Sequence, residues 1–236
     1  MLQRRISRHA ATASLAILVA YVALAYVVAP EFWSFRDADR EQPLSAMVTT
    51  TPQGIPGDPI NVGLVGERNG VLHAFAVAGW HPADAITLRS SIEIGESVLL
   101  DRRDVDAPVS TLMFEGRMQD FAFEKPVGES ADQRHHVRFW LTPRKGADGR
   151  PLWLGSASFD RGVGLSHDTG QITHHIGPDL DAERDLLMKD LSAAGQIQSI
   201  YSIPGVSATT DGRNGGGDPY FTDGMATIGV LVPIKD

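Results

Sequence analysis

Between Ala10 and Ala29 the chain runs for 20 residues without a charged side chain. As a helix rising about 1.5 Å per residue, such a run crosses the roughly 30 Å hydrocarbon core of a bilayer. The pattern then breaks. From Arg36 to Pro59, "RDADREQPLSAMVTTTPQGIPGDP" holds four prolines, two glycines and no sustained apolar period, which reads as an extended tether. The pattern predicts a flank over residues 1–9, an anchor over 10–29, a linker over 30–57 and one folded domain over 58–236.

Within the domain, "INVGLVG" (60–66) reads as a strand. It leads into a helix in which Leu72, Phe75, Ala76 and Gly79 share a face. Asp84 can cap a second helix carrying Leu88, Ile92, Gly95 and Leu99 at three- and four-residue spacing. From about Ser110 the period shortens. "STLMFEGRMQDFAFEKP", "HHVRFWLTP", "RPLWLGSASFD" and "QITHHIG" are aromatic or β-branched runs divided by turn-rich stretches, as in an antiparallel sheet. A last helix follows in "PDLDAERDLLMKDLSAAG", with Asp179, Asp181 and Glu183 at its N-terminus, Leu180, Leu187, Leu191 and Ala194 as its packing face, and Gly195 as its stop. Two more strands, "QIQSIYSIPG" and "ATIGVLVPI", close the chain. The class is α+β, a largely antiparallel sheet with flanking helices preceded by one transmembrane helix.

Charge narrows the partners. The formal net charge is −8, and setting aside Arg4, Arg5 and Arg8 leaves 18 basic residues against 29 acidic ones, a balance of −11. That excludes the basic face a nucleic acid requires. Cysteine is absent, which rules out disulfides, thiol nucleophiles and thiolate zinc sites. The three arginines precede the apolar run and mixed charge follows it, so the positive-inside rule places the N-terminus in the cytoplasm and the domain outside, as a single-pass protein. Trp33 and Phe35 then fall at the outer interface. A cleaved signal ending at "ALA" (23–25) is the alternative, and the continuation of the apolar run to Ala29 favours an uncleaved anchor.

Several longer runs carry a resemblance. "DPINVGLVG", "AGWHPAD", "ITLRSS", "EKPVGES", "RHHVRFWL", "FDRGVGLSHDTGQITHHIGPDLDAERD" and "NGGGDPYFTDG" together resemble the LssY C-terminal domain family, over about Pro59 to Pro233. The resemblance implies a bacterial envelope setting. In that family the domain is often joined to multi-spanning membrane modules, including phosphatidate-phosphatase-like ones, and the family takes its name from a type I secretion locus. It therefore implies a link to secretion or lipid-phosphate processes. This chain departs from the pattern in having a single anchor, and the resemblance brings no established activity with it.

Candidate chemistry centres on two histidine pairs. Alternation along a strand sets His135 with Val137 and Phe139, and His136 with Arg138 and Trp140. By the same rule His174 joins Ile172 and Ile176, while His175 joins Thr173. Adjacent strands would then gather His136, Arg138, Ser156, Ser158, Asp160, Thr173 and His175 on one polar face. Two imidazoles and a carboxylate can ligate zinc or iron, with His167 or Asp168 completing the set. Arg138 with protonatable histidines suits a small anionic ligand. A hydrolase, perhaps acting on a phosphate ester, would draw its nucleophile from Ser156, Ser158 or Ser166, none of which stands in an elbow motif. Against these stands a closed network in which the histidines and Arg138 pair with Asp160, Glu183 or Asp185.

The loop "RNGGGDPYFTDG" (213–224) brings three glycines beside Asp211, Asp218 and Asp223, which can hold an anion or offer oxygens to calcium, or which simply connect two strands. Tyr220 and Phe221 can pin the loop to the sheet. Glycines at 63, 66 and 70 match no dinucleotide or P-loop fingerprint, and no cofactor is specified. The expected ligand-binding set is His136, Arg138, Asp160, His167, His175, Asp218 and Tyr220. The expected role is a membrane-anchored binding or assembly module, whose partner is an envelope protein or a small anion, with the hydrolase as the alternative.

Overall fold

The computed structural model describes residues 2–32, 47–52, 54–83, 89, 111–128, 133–205 and 210–234. Helix α1 (Leu2–Ala23) continues through a π-helical turn, Leu24–Val28, to Phe32. Its His9–Phe32 stretch is long and apolar enough to cross a membrane. Pro30 has no N–H to offer the Ala25 carbonyl five residues earlier, where a π-helical bond would otherwise run. That carbonyl accepts instead from Gln171 Nε2 at 2.9 Å, and Tyr21 donates its hydroxyl to the Gly170 carbonyl at 2.8 Å. The helix is therefore tied to the domain it precedes.

Fourteen strands follow among the described residues: β1 (Val48–Thr50), β2 (Pro56–Pro59), β3 (Val62–Val65), β4 (His81–Pro82), β5 (Met113–Phe114), β6 (Arg117–Met118), β7 (Phe121–Pro126), β8 (Arg134–Lys145), β9 (Pro151–Leu165), β10 (Ile172–Ile176), β11 (Ile197–Pro204), β12 (Asp211–Arg213), β13 (Pro219–Phe221) and β14 (Met225–Leu231). The main sheet has the order β11-β14-β3-β9-β8-β7-β4, with β10 also paired to β9. Only β14 and β3 run parallel; every other pair in it is antiparallel. A second sheet, β2-β1-β5-β6, and the β12–β13 hairpin complete the architecture. The expected α+β class is the one observed.

Alternation decides which face each residue covers. Val62, Leu64, Phe121, Phe123, Phe139 and Trp153 turn to one side, where α2 (Arg68–Val77) and α3 (Leu180–Ala193) bury Leu72, Phe75, Leu187 and Leu191 against them. Asp179 caps α3 by accepting from Ala182 N at 3.0 Å, and the helix ends at Gly195, whose φ of +70° only glycine adopts freely. On the opposite side, Ile60, Val65, Trp140, Leu152, Leu154 and Ile228 lie beneath Met47, Leu112 and Phe114 of the small sheet and its flanks.

β9 is long enough to hold two neighbours on one edge. β3 pairs with Leu152–Gly155 and β10 with residues from Asp160 onward. Between them the Asn61 side chain takes the place of a strand. Its Nδ2 donates to the Ala157 and Leu180 carbonyls at 2.9 and 3.0 Å, and its Oδ1 accepts from Ala157 N at 2.8 Å.

The segment expected to tether the domain enters the fold by Met47, because Val48, Thr49 and Thr50 are β-branched and pair as β1 with β2, and Met47 and Ile55 are buried. The expected helix after Asp84 and the interfacial Trp33 and Phe35 lie outside the described residues, Arg89 apart.

Candidate functional site

Cross-strand register builds a polar half on the face opposite the helices. His136 pairs with Glu124 of β7 and Ser158 of β9, Arg138 with Ala122 and Ser156, and Arg134 with Pro126 and Asp160. Directly paired residues share a face, so these rows lie side by side where Trp140 and Leu154 end the apolar half. All the ionisable members are buried.

Their contacts form one chain. Arg134 donates from Nη1 to Glu124 Oε2 at 2.6 Å and from Nε to Asp160 Oδ2 at 2.9 Å. Asp160 Oδ1 lies 3.0 Å from His136 Nδ1, within ion-pair distance, although the two are not aligned for a hydrogen bond. Arg138 Nη1 approaches His136 Nε2 at 2.7 Å and Asp58 Oδ2 at 3.8 Å. Since a guanidinium can only donate, Nε2 is the accepting nitrogen and the ring proton of the neutral form faces Asp160. Burial by itself would raise the Asp160 pKa, but His136 and then Arg134 outweigh it and hold the carboxyl well below the usual carboxylate range.

Ser158 Oγ also lies 3.0 Å from His136 Nε2. Serine, imidazole and aspartate thus stand in the order that activates a nucleophile. Two facts oppose that use: Ser158 is fully buried, and Arg138 occupies the same nitrogen. Ser156 Oγ, one row along, is buried without a hydrogen-bond partner.

A cavity of about 260 Å³ opens over this network. His136, Arg138 and Asp160 reach it from the sheet, Asp58 from β2, and Ser166 and Thr169 from the β9–β10 loop. Asn214 and Gly216 close another side, and Pro30 of the N-terminal apolar helix contributes to the wall.

The structure exchanges the roles expected of His174 and His175. In the β9–β10 register Ile176 pairs with Asp160 but His175 pairs with Gly162, so Arg161 is an extra residue in β9. The bulge belongs to β9 and leaves the phase of β10 intact. Ile176 shares the face of its direct partner Asp160, and His174, two residues away in β10, shares it too, so that its Nε2 lies 3.4 Å from Arg134 Nη2 and its ring lines the cavity. Burial, opposed by Asp160, lowers the His174 pKa. His135 points to the helix side, with Nδ1 2.6 Å from Glu183 Oε2.

His175 belongs to a second cluster. Its Nδ1 is 2.8 Å from Asp218 Oδ1, and His167 Nε2 is 3.9 Å from the same oxygen. Among the described residues, His167, His175 and Asp218 are the one group of potential metal ligands whose donor atoms converge, all within 4.8 Å. Of the options for the glycine loop, Asp211, Asp218 and Asp223 do not converge as a calcium set, and the plain strand connection is what forms. Asp223 Oδ1 accepts from Arg184 Nη1 and Met225 N, Asp211 belongs to β12, and residues 211–221 form a hairpin. Tyr220 packs with Ile176 and Leu180.

Glu124, Arg134, Asp58 and His174 complete the first network and were missed by sequence reasoning. Arg134 was within reach, since 134, 136 and 138 share one strand phase. Asp58 arrives from another sheet, and no local pattern marks it.

No curated protein and no solved structure matches the chain. The family model described as LssY C-terminus matches residues 40–226, beginning ahead of β1 and extending into β14. That span takes in every residue of both clusters, and the chain belongs to the LssY C-terminus family.

Proposed function

We propose that the protein is a membrane-anchored binding module of the bacterial envelope, with its domain on the outer side of the inner membrane and a small anionic ligand in the cavity over His136, Arg138 and Asp160. The observation that carries this reading is the convergence of a buried guanidinium, two imidazoles and several hydroxyl groups on one open cavity. The orientation rests on Arg4, Arg5 and Arg8 preceding the apolar run. Asp58 and Asp160 share the lining with Arg138, so the fitting ligand carries hydrogen-bond donors beside its anionic group, as a phosphorylated polyol or lipid headgroup does.

Thermal unfolding of the full chain in detergent, with inorganic phosphate and glycerol phosphate added, tests this. The transition should rise with the phosphorylated polyol. The gain should be lost in Arg138→Lys and reduced in Thr111→Val, a substitution on the cavity wall. A rise that survives Arg138→Lys, or no rise with either compound, would overturn the assignment.

The second reading is a hydrolase, favoured by the Ser158, His136 and Asp160 order. It requires Ser158 to become accessible. Esterase or phosphoesterase turnover abolished by Ser158→Ala would establish it in place of a binding module.

A further inference from the structure

We propose that His167, His175 and Asp218 form a binding site for a zinc-class divalent metal on the other side of β10, separate from the His136 cavity. Asp218 is fixed before any ion arrives. Its side chain is 2% exposed, its Oδ2 accepts from Ile176 N at 3.1 Å, and its own N–H is held by Asn214 Oδ1 at 2.9 Å. That leaves Oδ1 directed at the two imidazoles. Metal–ligand bonds of about 2.0–2.2 Å in a tetrahedral site keep donors about 3.3–3.6 Å apart. The 2.8 Å from Oδ1 to His175 Nδ1 and the 3.9 Å to His167 Nε2 bracket that spacing.

The surroundings suit an ion as well. The His175 ring lies against Gly164, where a β-carbon would stand 2.5 Å from Nε2, so the chain keeps that position clear of a side chain. His167 is 62% exposed and the recess is open, which leaves a coordination position for water. Two nitrogens and one oxygen select zinc and its neighbours over calcium or magnesium, which prefer oxygen alone. Arg161 shares the recess but is exposed, so solvent screens its charge.

The ion would join two loops. His167 lies on the β9–β10 loop, which brings Ser166 and Thr169 to the cavity, and Asp218 follows the loop that brings Asn214 and Gly216. Metal on one side of β10 therefore braces two walls of the space on the other. The metal assignment itself does not depend on what that space binds.

Untagged full chain in detergent, stripped with chelator, should take up one zinc per chain in calorimetric titration. Cobalt should give the intense visible bands of a tetrahedral site. His167→Ala, exposed and therefore neutral for folding, should weaken zinc binding at least tenfold with the metal-free unfolding transition unchanged. Asp218→Asn should likewise weaken zinc binding, and His73→Ala should leave binding intact. No stoichiometric uptake at micromolar zinc, or uptake unaffected by His167→Ala, would overturn the site. Failure of phosphate compounds to bind the cavity would leave these results as they are.

Discussion

Arg134 and Asp160 face each other across the β8–β9 ladder, Nε to Oδ2 at 2.9 Å, with side chains only 4% and 1% exposed. Removing one member of such a pair strands the other charge in the interior, at a cost of about 3–5 kcal/mol. Asp160→Asn should lose stability of that order in urea denaturation. The triple replacement Glu124→Leu, Arg134→Met and Asp160→Leu should recover part of it, since apolar residues of similar volume can replace a buried ionic cluster. An Asp160→Asn protein as stable as the parent would mean that the pair contributes nothing.

Acid should weaken the fold in two steps. His174 has a pKa lowered by burial in the folded state, so the unfolded chain takes up its proton first. Its contribution is complete above about pH 6.5 and is lost as pH falls through the lower folded value. Asp160 behaves likewise at lower pH, contributing fully above about pH 4 and losing that contribution as pH drops toward its depressed folded pKa. Chemical denaturation between pH 7.5 and 5.0 should show a decline that His174→Gln flattens. An unchanged slope in that variant would assign the decline to another group.

Asn61→Ala removes three hydrogen bonds at once and leaves Ala157 N and Ala157 O short of partners, while the Leu180 carbonyl keeps its place in the first turn of α3. Each stranded buried group costs about 1–3 kcal/mol, so a loss of at least about 2 kcal/mol is expected. Amide exchange at Ala157 should accelerate in parallel. A loss below 1 kcal/mol would show that water replaces the side chain.

Topology is open to direct measurement. A reporter active only outside the cytoplasm, fused after Asp236, should be active, and the protein should remain with membranes after alkaline washing. Recovery of a shortened soluble chain would identify the apolar run as a cleaved signal instead.

The polar face was legible wherever strands keep their phase. The 136–138 and 156–160 alternation placed His136, Arg138, Ser156, Ser158 and Asp160 together, and the register confirms that grouping. It failed in β10, because Ile172 and Ile176 suggest an apolar face for His174, whereas Ile176 pairs directly with Asp160 and brings His174 to the polar side with it. β1 and β2 were hidden for a different reason. They are three and four residues long and lie among prolines and glycines, so neither presents enough alternation to be seen, and long-range pairing decides them. Asp218 was recognised as a candidate, but its partnership with His175 depends on β10 meeting the loop before β13 across 43 residues of chain.

If α1 spans a bilayer as its length and apolarity allow, its clasp with the β9–β10 loop would make bilayer thickness a variable of this protein. Tyr21 and Ala25 lie eight and four residues before Ala29, so a helix immersed along its whole apolar run carries Gly170 and Gln171 about 6–12 Å below the level of Ala29. A thin bilayer leaves that stretch of helix to the loop. A thick one competes for it, at a cost of a fraction of a kcal/mol for each ångström of mismatch. Because Pro30, Thr169 and Gln171 also line the cavity, lipid around such a helix would bear on the shape of a space that no lipid need enter.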